Sequence, residues 1–115
     1  MNGKMYFNGL GTLVADPEFI ESAGKNGLVK FRIAWNEKRK DEKIASFANI
    51  ECWSEYLNKQ IMQFFHKGKP IHVTGTIVED TWEDKDGKKV RTYRFRLEGF
   101  DFLVDNKNES QGNDF

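Results

Sequence analysis

Residues 47–53 read Phe-Ala-Asn-Ile-Glu-Cys-Trp, and strand alternation sorts them into two unlike sets. In an extended strand, successive side chains point to opposite faces. Ala48, Ile50 and Cys52 then share an apolar face suited to a core, while Phe47, Asn49, Glu51 and Trp53 share the other. That second face sets two large flat rings beside a carboxylate and an amide. Leaving such a ring in water forgoes about 1.5–3 kcal/mol of burial, so the arrangement calls for something flat to lie against it. Unpaired nucleic-acid bases meet that need where cations stand nearby. A second subunit covering the rings meets it as well, and the pattern alone leaves both readings open.

Residue types that carry catalysis or hold metals are sparse. His66 and His72 are the two histidines, and no cysteine or carboxylate spacing completes a metal site around them. Glu83, Asp84 and Asp86 gather in a tight turn whose Asp86-Gly87 step serves backbone geometry. No nucleophile motif, phosphate loop or glycine fingerprint is present. Neither an enzyme nor a bound cofactor or metal is expected.

The 115 residues suit one domain with a real core. Aromatic content of 14 % points to a folded chain rather than a disordered one. The formal net charge is zero, which argues against a simple basic coat for nucleic acid. Residues 105–115 hold Lys107 against Asp105, Glu109 and Asp114, so this end is slightly acidic and the remainder slightly basic. Cys52 is the single cysteine, which excludes an internal disulfide framework and fits a reducing compartment. With no apolar run near the roughly 20 residues a bilayer requires, and no apolar leader at the N-terminus, a cytoplasmic location away from membranes is expected.

The elements that must position the rings follow from patterning. Met5–Leu13 reads as a first strand, and Gly9 and Gly11 within it suit a bulge or a barrel corner. Asp16-Pro17 marks a turn, and residues 22–27 form a glycine-rich loop. A second strand runs from about Leu28 to Asn36, with Val29, Phe31, Ile33 and Trp35 on the core face and Lys30, Arg32 and Ala34 opposite. Residues 36–46 read as a charged hairpin loop leading into a third strand, Phe47–Trp53. A helix over about Ser54–Lys67 has Ser54 as N-cap, an apolar stripe of Leu57, Ile61, Phe64 and Phe65, Gly68 as C-terminal cap and Pro70 beyond. Ile71–Val78 forms a fourth strand. The Asp84–Lys88 turn then joins the strand end at Trp82 to a fifth, Val90–Leu97, with Tyr93, Phe95 and Leu97 inward and Arg94 and Arg96 outward. Five strands with one helix between the third and fourth is the element order of the OB-fold, an all-β barrel that binds oligonucleotides or oligosaccharides. The expected organisation is this barrel over residues 1–104 and a short disordered acidic tail over 105–115.

Several short stretches together carry a resemblance. They are Gly11-Thr12-Leu13-Val14-Ala15-Asp16-Pro17-Glu18, the Phe47-x-x-Ile50-x-x-Trp53 strand, the helix ending in His66-Lys67-Gly68, and Val73-x-Gly75. Trp82 ahead of the Asp86-Gly87 turn and the alternating last strand complete the set. Their order and spacing over about residues 5–103 resemble the bacterial and phage single-stranded DNA-binding proteins. The resemblance implies binding of single-stranded DNA without sequence preference, protecting it during replication, recombination or repair. Phe47, Trp53 and Trp82 fall on the family's base-stacking positions. A fourth stacking position, aromatic in the family, coincides with Arg39, whose guanidinium plane can also stack. Lys38, Lys43, Lys67, Arg91, Arg94 and Arg96 are the implied phosphate contacts. Glu79 and Asp80 stand where the family is basic, so the electrostatic share should be weaker here.

The family also implies a homo-oligomer, either a tetramer or a compact dimer. Asp114 and Phe115 match an acidic tip that engages replication and repair proteins. The competing readings are a protein-interaction barrel that uses the rings as subunit glue and an RNA-binding OB-fold. Trp35, by its phase with Phe31 and Ile33, is read as core.

Overall fold

The computed structural model describes residues 1–103. Strands and helix run β1 Met5–Leu13, β2 Glu18–Ile20, β3 Leu28–Arg39, β4 Glu42–Cys52, α1 Glu55–Phe64, β5 Pro70–Glu83 and β6 Lys89–Phe102. The sheet order is β1-β5-β6-β4-β3-β2, and an additional β1–β3 pairing closes five of the strands into a ring. All neighbours are antiparallel except β4 and β6. This ring, with a helix between its third and fourth strands in chain order, is the expected OB-fold barrel. β2 is a three-residue addition hydrogen-bonded to β3, and it was not anticipated.

The core faces follow the alternation. Val29, Phe31 and Ile33 of β3 and Ile50 and Cys52 of β4 are buried together with Leu13, Ile71, Val73 and Leu97. Trp35 and Ala48 pack against this cluster, in keeping with their phase. Ser54 caps the helix as expected, its hydroxyl accepting from the Leu57 amide at 3.3 Å. Ile61 and Phe65 seat the helix against the barrel end. Phe64, placed in the apolar stripe by spacing, is instead exposed and leans edge-on against Phe102.

Several boundaries differ from the sequence expectation, each for a physical reason. Residues 36–46 are not a loop: β3 and β4 stay paired out to Arg39 and Glu42, joined by a two-residue turn. Lys40 occupies that turn with φ 56°, a left-handed conformation glycine usually takes. Charge suggested solvent here, and it was right about exposure but not about pairing, because both faces of this arm lie beyond the barrel. β5 and β6 likewise run past the barrel as a long hairpin to Glu83 and Lys89. Tyr93, read as inward, lies on this arm and is 64 % exposed. The helix stops at Phe64, with Phe65 as C-cap donating to the Ile61 carbonyl. Gly68 therefore serves the following turn, at φ 90°, and its amide donates to the Leu13 carbonyl. Pro70 opens β5 opposite Thr12.

Two glycines allow the ring to close. A Cβ on Gly11 would sit 3.1 Å from the Ala34 carbonyl and from Ile33, at the point where β1 leaves β5 for β3. Gly75 stands at the register shift between β5 and β6, where an added Cβ would fall 1.8 Å from the Arg96 carbonyl oxygen. Among the described residues, no helix is long and apolar enough to cross a membrane.

Two outcomes follow from this packing. Gly75→Ala should cost more than about 3 kcal/mol of unfolding free energy, read by urea denaturation, because backbone must move to admit the methyl. Burial pushes the Cys52 thiol above its ordinary value, although a backbone hydrogen bond from Ser54 works against the shift. The native state therefore keeps this proton while the unfolded chain loses it. Its contribution to stability should be constant below the ordinary thiol range and decline as pH rises through it. At pH 8 a thiol reagent should label Cys52 slowly in the native protein and rapidly in denaturant.

Candidate nucleic-acid interface

Register places the outward residues of four strands on one continuous surface. In β4 these are Phe47, Asn49 and Glu51, continued by Trp53, and their partners in β3 are Ala34, Arg32 and Lys30. Glu51 also lies opposite Arg96 of β6. Arg96, Arg94 and Thr92 then pair with Thr76, Val78 and Asp80 of β5, and Trp82 follows on the same side opposite Val90. The three rings singled out by sequence are all open to solvent, with exposures of 49 % for Phe47, 37 % for Trp53 and 46 % for Trp82.

A groove of about 870 Å3 divides this surface. Its origin is the brevity of the β4–β6 contact, which pairs only Ile50 and Glu51 with Phe95 and Arg96. Beyond that contact the two strands splay. Asn49, Glu51, Lys30 and Arg32 line one wall, and Trp82, Thr92, Arg94 and Asp80 the other. Phe31, Ile50 and Phe95 contribute to its lining between them. Asp16 and Glu18 also reach the groove, so it carries four carboxylates against the three cations Lys30, Arg32 and Arg94.

Two of the three rings, Phe47 and Trp53, are held rather than free. The Arg32 guanidinium carbon lies 4.4 Å from the centroid of the Phe47 ring, a cation–π contact that orients both. Trp53 Nε1 donates to Glu51 Oε1 at 3.1 Å. The backbone at Gly24, with φ 73°, comes so near the indole that an added Cβ would lie 3.4 Å from it. Glu51 itself is 6 % exposed despite its place on the outer face. Arg94 reaches it through Nε at 2.9 Å and Nη2 at 2.6 Å, and Arg96 through Nε at 3.2 Å.

The structure does not bring every expected residue to this surface. Arg39 is odd-numbered on β3 and so shares the Ile33 and Trp35 face, opposite that of Phe47. Its guanidinium pairs instead with Glu37 on that same side, at 3.3 Å. Arg91, opposite Thr81, lies on the Tyr93 side of the β5–β6 arm and is not part of the groove's lining, although Tyr93 itself is. Lys38 and Lys43 face each other on the Phe47 side, near the tip of the β3–β4 arm. Four residues beyond Ala34, they stand about 13 Å along the strand from Phe47. Lys67 sits in the turn after α1, where its amide donates to Asp16 Oδ1 at 2.8 Å. Asp114 and Phe115, with the rest of the expected tail, lie outside the described residues.

Sequence reading missed Lys30 and Arg32 as site residues, though their outward phase was visible. It also missed the clasp around Glu51, whose arginine partners are 43 and 45 positions away. No local pattern announces a pairing at that separation. Among the described residues, no group of three or more His, Cys, Asp or Glu side chains could hold a metal ion.

A five-strand barrel with an aromatic, groove-bearing face defines an oligonucleotide-binding OB-fold. Comparison with known proteins narrows this class. The pattern of the single-strand binding protein family matches residues 9–103, and the chain belongs to that family. It is a single-stranded DNA-binding protein, and the family is not one of enzymes. The single-stranded DNA-binding protein of Clostridium perfringens is 31 % identical over 106 residues, covering 90 % of this chain and 69 % of that one. A Lactococcus lactis relative, single-stranded DNA-binding protein 1, is 29 % identical over 105 residues, covering 89 % and 69 % respectively. Among solved structures, a Plasmodium falciparum SSB complex with ssDNA superposes with a TM-score of 0.75 at 18 % identity, over 90 % of this chain and all of that one. A mitochondrial single-stranded DNA-binding protein of S. cerevisiae gives 0.73 at 19 % identity, over 89 % and 97 %.

Rings that face solvent contribute little to folding. Phe47→Ala and Trp82→Ala should each lower the unfolding free energy by about 1 kcal/mol or less, the scale of an exposed cation–π contact. Ile50→Ala on the opposite face should cost about 2–5 kcal/mol. Urea melts of the three variants check this, and a loss above 2 kcal/mol for either ring would make it a structural residue.

Proposed function

We propose that the chain binds single-stranded DNA without sequence preference by stacking unpaired bases on Phe47, Trp53 and Trp82, and so keeps the strand protected during replication, recombination or repair. The observation that carries this reading is the outward display of all three rings along one surface that a groove divides. Every base presents a π-face, so stacking worth about 1–3 kcal/mol per base tolerates any sequence. Arg32, Lys30 and Arg96 stand beside the rings and supply phosphate contacts, with Lys38, Lys43 and Lys67 further along the strand's path. Arg39 and Arg91 are left out of this track, Arg39 because it faces the other side and pairs with Glu37, and Arg91 because it lies outside the groove's lining.

A homo-oligomer, tetramer or dimer, fits the free edge of β1. Between Met5 and Leu10 this strand pairs with β5 on one side only, and Met5, Tyr6 and Leu10 are exposed along it. Recruitment of replication or repair proteins through Asp114 and Phe115 rests on the sequence of that tip. A reducing, cytoplasmic setting is consistent with the single buried thiol.

Fluorescence tests the stacking directly. Poly-dT should quench tryptophan emission, and Trp53→Ala should weaken binding by about 1–3 kcal/mol, or roughly 5- to 150-fold. Absence of quenching at saturating poly-dT would remove the stacking mechanism. Poly-U should bind more weakly than poly-dT, and equal binding would turn the reading toward RNA.

A further inference from the structure

Glu51 is a buried carboxylate in the middle of an otherwise solvent-facing surface. Burying a charge is unfavourable unless partners satisfy it, and here the satisfaction is complete. Oε1 accepts from Trp53 Nε1 and Arg96 Nε, and Oε2 accepts twice from Arg94. A carboxylate offers about four lone-pair sites, so nothing remains for a ligand's donors.

The two arginines are spent very differently by this contact. Arg94 commits Nε and Nη2 to Glu51, and its remaining Nη1 faces Asp80 Oδ2 at 3.9 Å. It is bracketed by carboxylates on both sides. Arg96 commits only Nε, and its two Nη groups find no side-chain partner among the described residues. Its side chain is 45 % exposed. An arginine meets phosphate through the edge its guanidinium leaves free. Arg96 keeps both Nη groups for such an edge, whereas Arg94 keeps only its Nη1 side, and that side faces Asp80.

We propose that Glu51 is a positioning residue that stands where a phosphate would on Arg94, withdrawing that arginine from the DNA backbone and leaving Arg96 as the β6 arginine that meets it. The proposal rests on the reading of this outer face as the single-strand interface; Arg94 lines the groove that divides it, and Arg96 stands on the same face outside the groove's lining. It goes further in dividing the cations of the face into one that binds and one that clasps. The consequence is a shallower dependence of affinity on salt than a count of surface arginines implies, since each phosphate contact on a single strand contributes about 0.7 to the slope of log K against log salt.

Salt titration of oligo-dT binding, with the unmodified protein as reference, tests this. Glu51→Gln removes the charge that holds Arg94, so the freed guanidinium should take a phosphate. The slope should steepen by about 0.7, equivalent to about a 2.5-fold greater loss of affinity across a fourfold rise in salt. In the double variant Glu51→Gln/Arg94→Gln the added slope should vanish, an outcome that a merely structural glutamate would not produce. In the unmodified background, Arg96→Gln should flatten the slope by about 0.7, whereas Arg94→Gln should leave it nearly unchanged. These two variants decide the matter even where Glu51→Gln fails to fold. Equal flattening by both, or an unchanged slope in a folded and binding Glu51→Gln, would overturn the proposal. Failure of the unmodified protein to bind oligo-dT at all would strike the underlying function instead.

Discussion

The structure depends on one short contact, the parallel pairing of Ile50 and Glu51 with Phe95 and Arg96. Without it β4 and β6 would be free edges of an open sheet, exposed to pairing with other chains. Its shortness is equally consequential. Two residues of pairing suffice to close the ring, and the divergence beyond them opens the groove between the β3–β4 wall and the β5–β6 arm. The two residues of β4 in this contact serve opposite ends. Ile50 points inward and joins the core, while Glu51 points outward and ties the strands together through ions. Closure of the barrel and arrangement of this outer face therefore depend on the same two residues.

This arrangement explains how rings can stay outside without loosening the fold. The core is supplied by inward residues of all five ring strands, Ile50 and Cys52 alternating with the rings on β4 among them, together with Ile61 and Phe65 from the helix end. Phe47 and Trp53 occupy positions whose burial is not needed. They are kept in place laterally by Arg32, by Glu51 and by the close backbone of Gly24. Lateral restraint matters because a ring already held loses less freedom when a base lies on it. The polar neighbours that seemed out of keeping with two exposed aromatics are the means by which those aromatics are aimed.

Much of this was legible from the order of residues alone, and the limits are physical. Where a strand has one wet and one dry face, alternation reports both, and so the faces of β3 and β4 near the core were readable from Val29 to Ile33 and from Ala48 to Cys52. Where a hairpin projects beyond the barrel, both faces are wet and alternation carries no information. Residues 36–46 consequently looked like a loop, and Tyr93 looked like core. The same blindness hid which side Arg39 and Arg91 take, because the side an arm residue faces depends on pairing that its own chemistry does not reveal. The Glu51 clasp required knowing that β4 and β6 meet in parallel, a contact set by closure of the whole ring.

A net charge of zero is an unusual starting point for binding a polyanion. The groove repeats the balance locally, setting Asp16, Glu18, Glu51 and Asp80 among its cations. Carboxylates there repel phosphate and lower the nonspecific attraction that long-range charge would otherwise provide. On the stacking proposed above, affinity comes in larger part from contacts between rings and bases, which salt screens far less than it screens exposed charges. Stacking also demands an unpaired base, because a duplex hides the faces of its bases from a protein ring. On that proposal the surface turns its electrostatic weakness into discrimination: what it gives up in attraction for any phosphate chain, it retains as preference for strands whose bases are open.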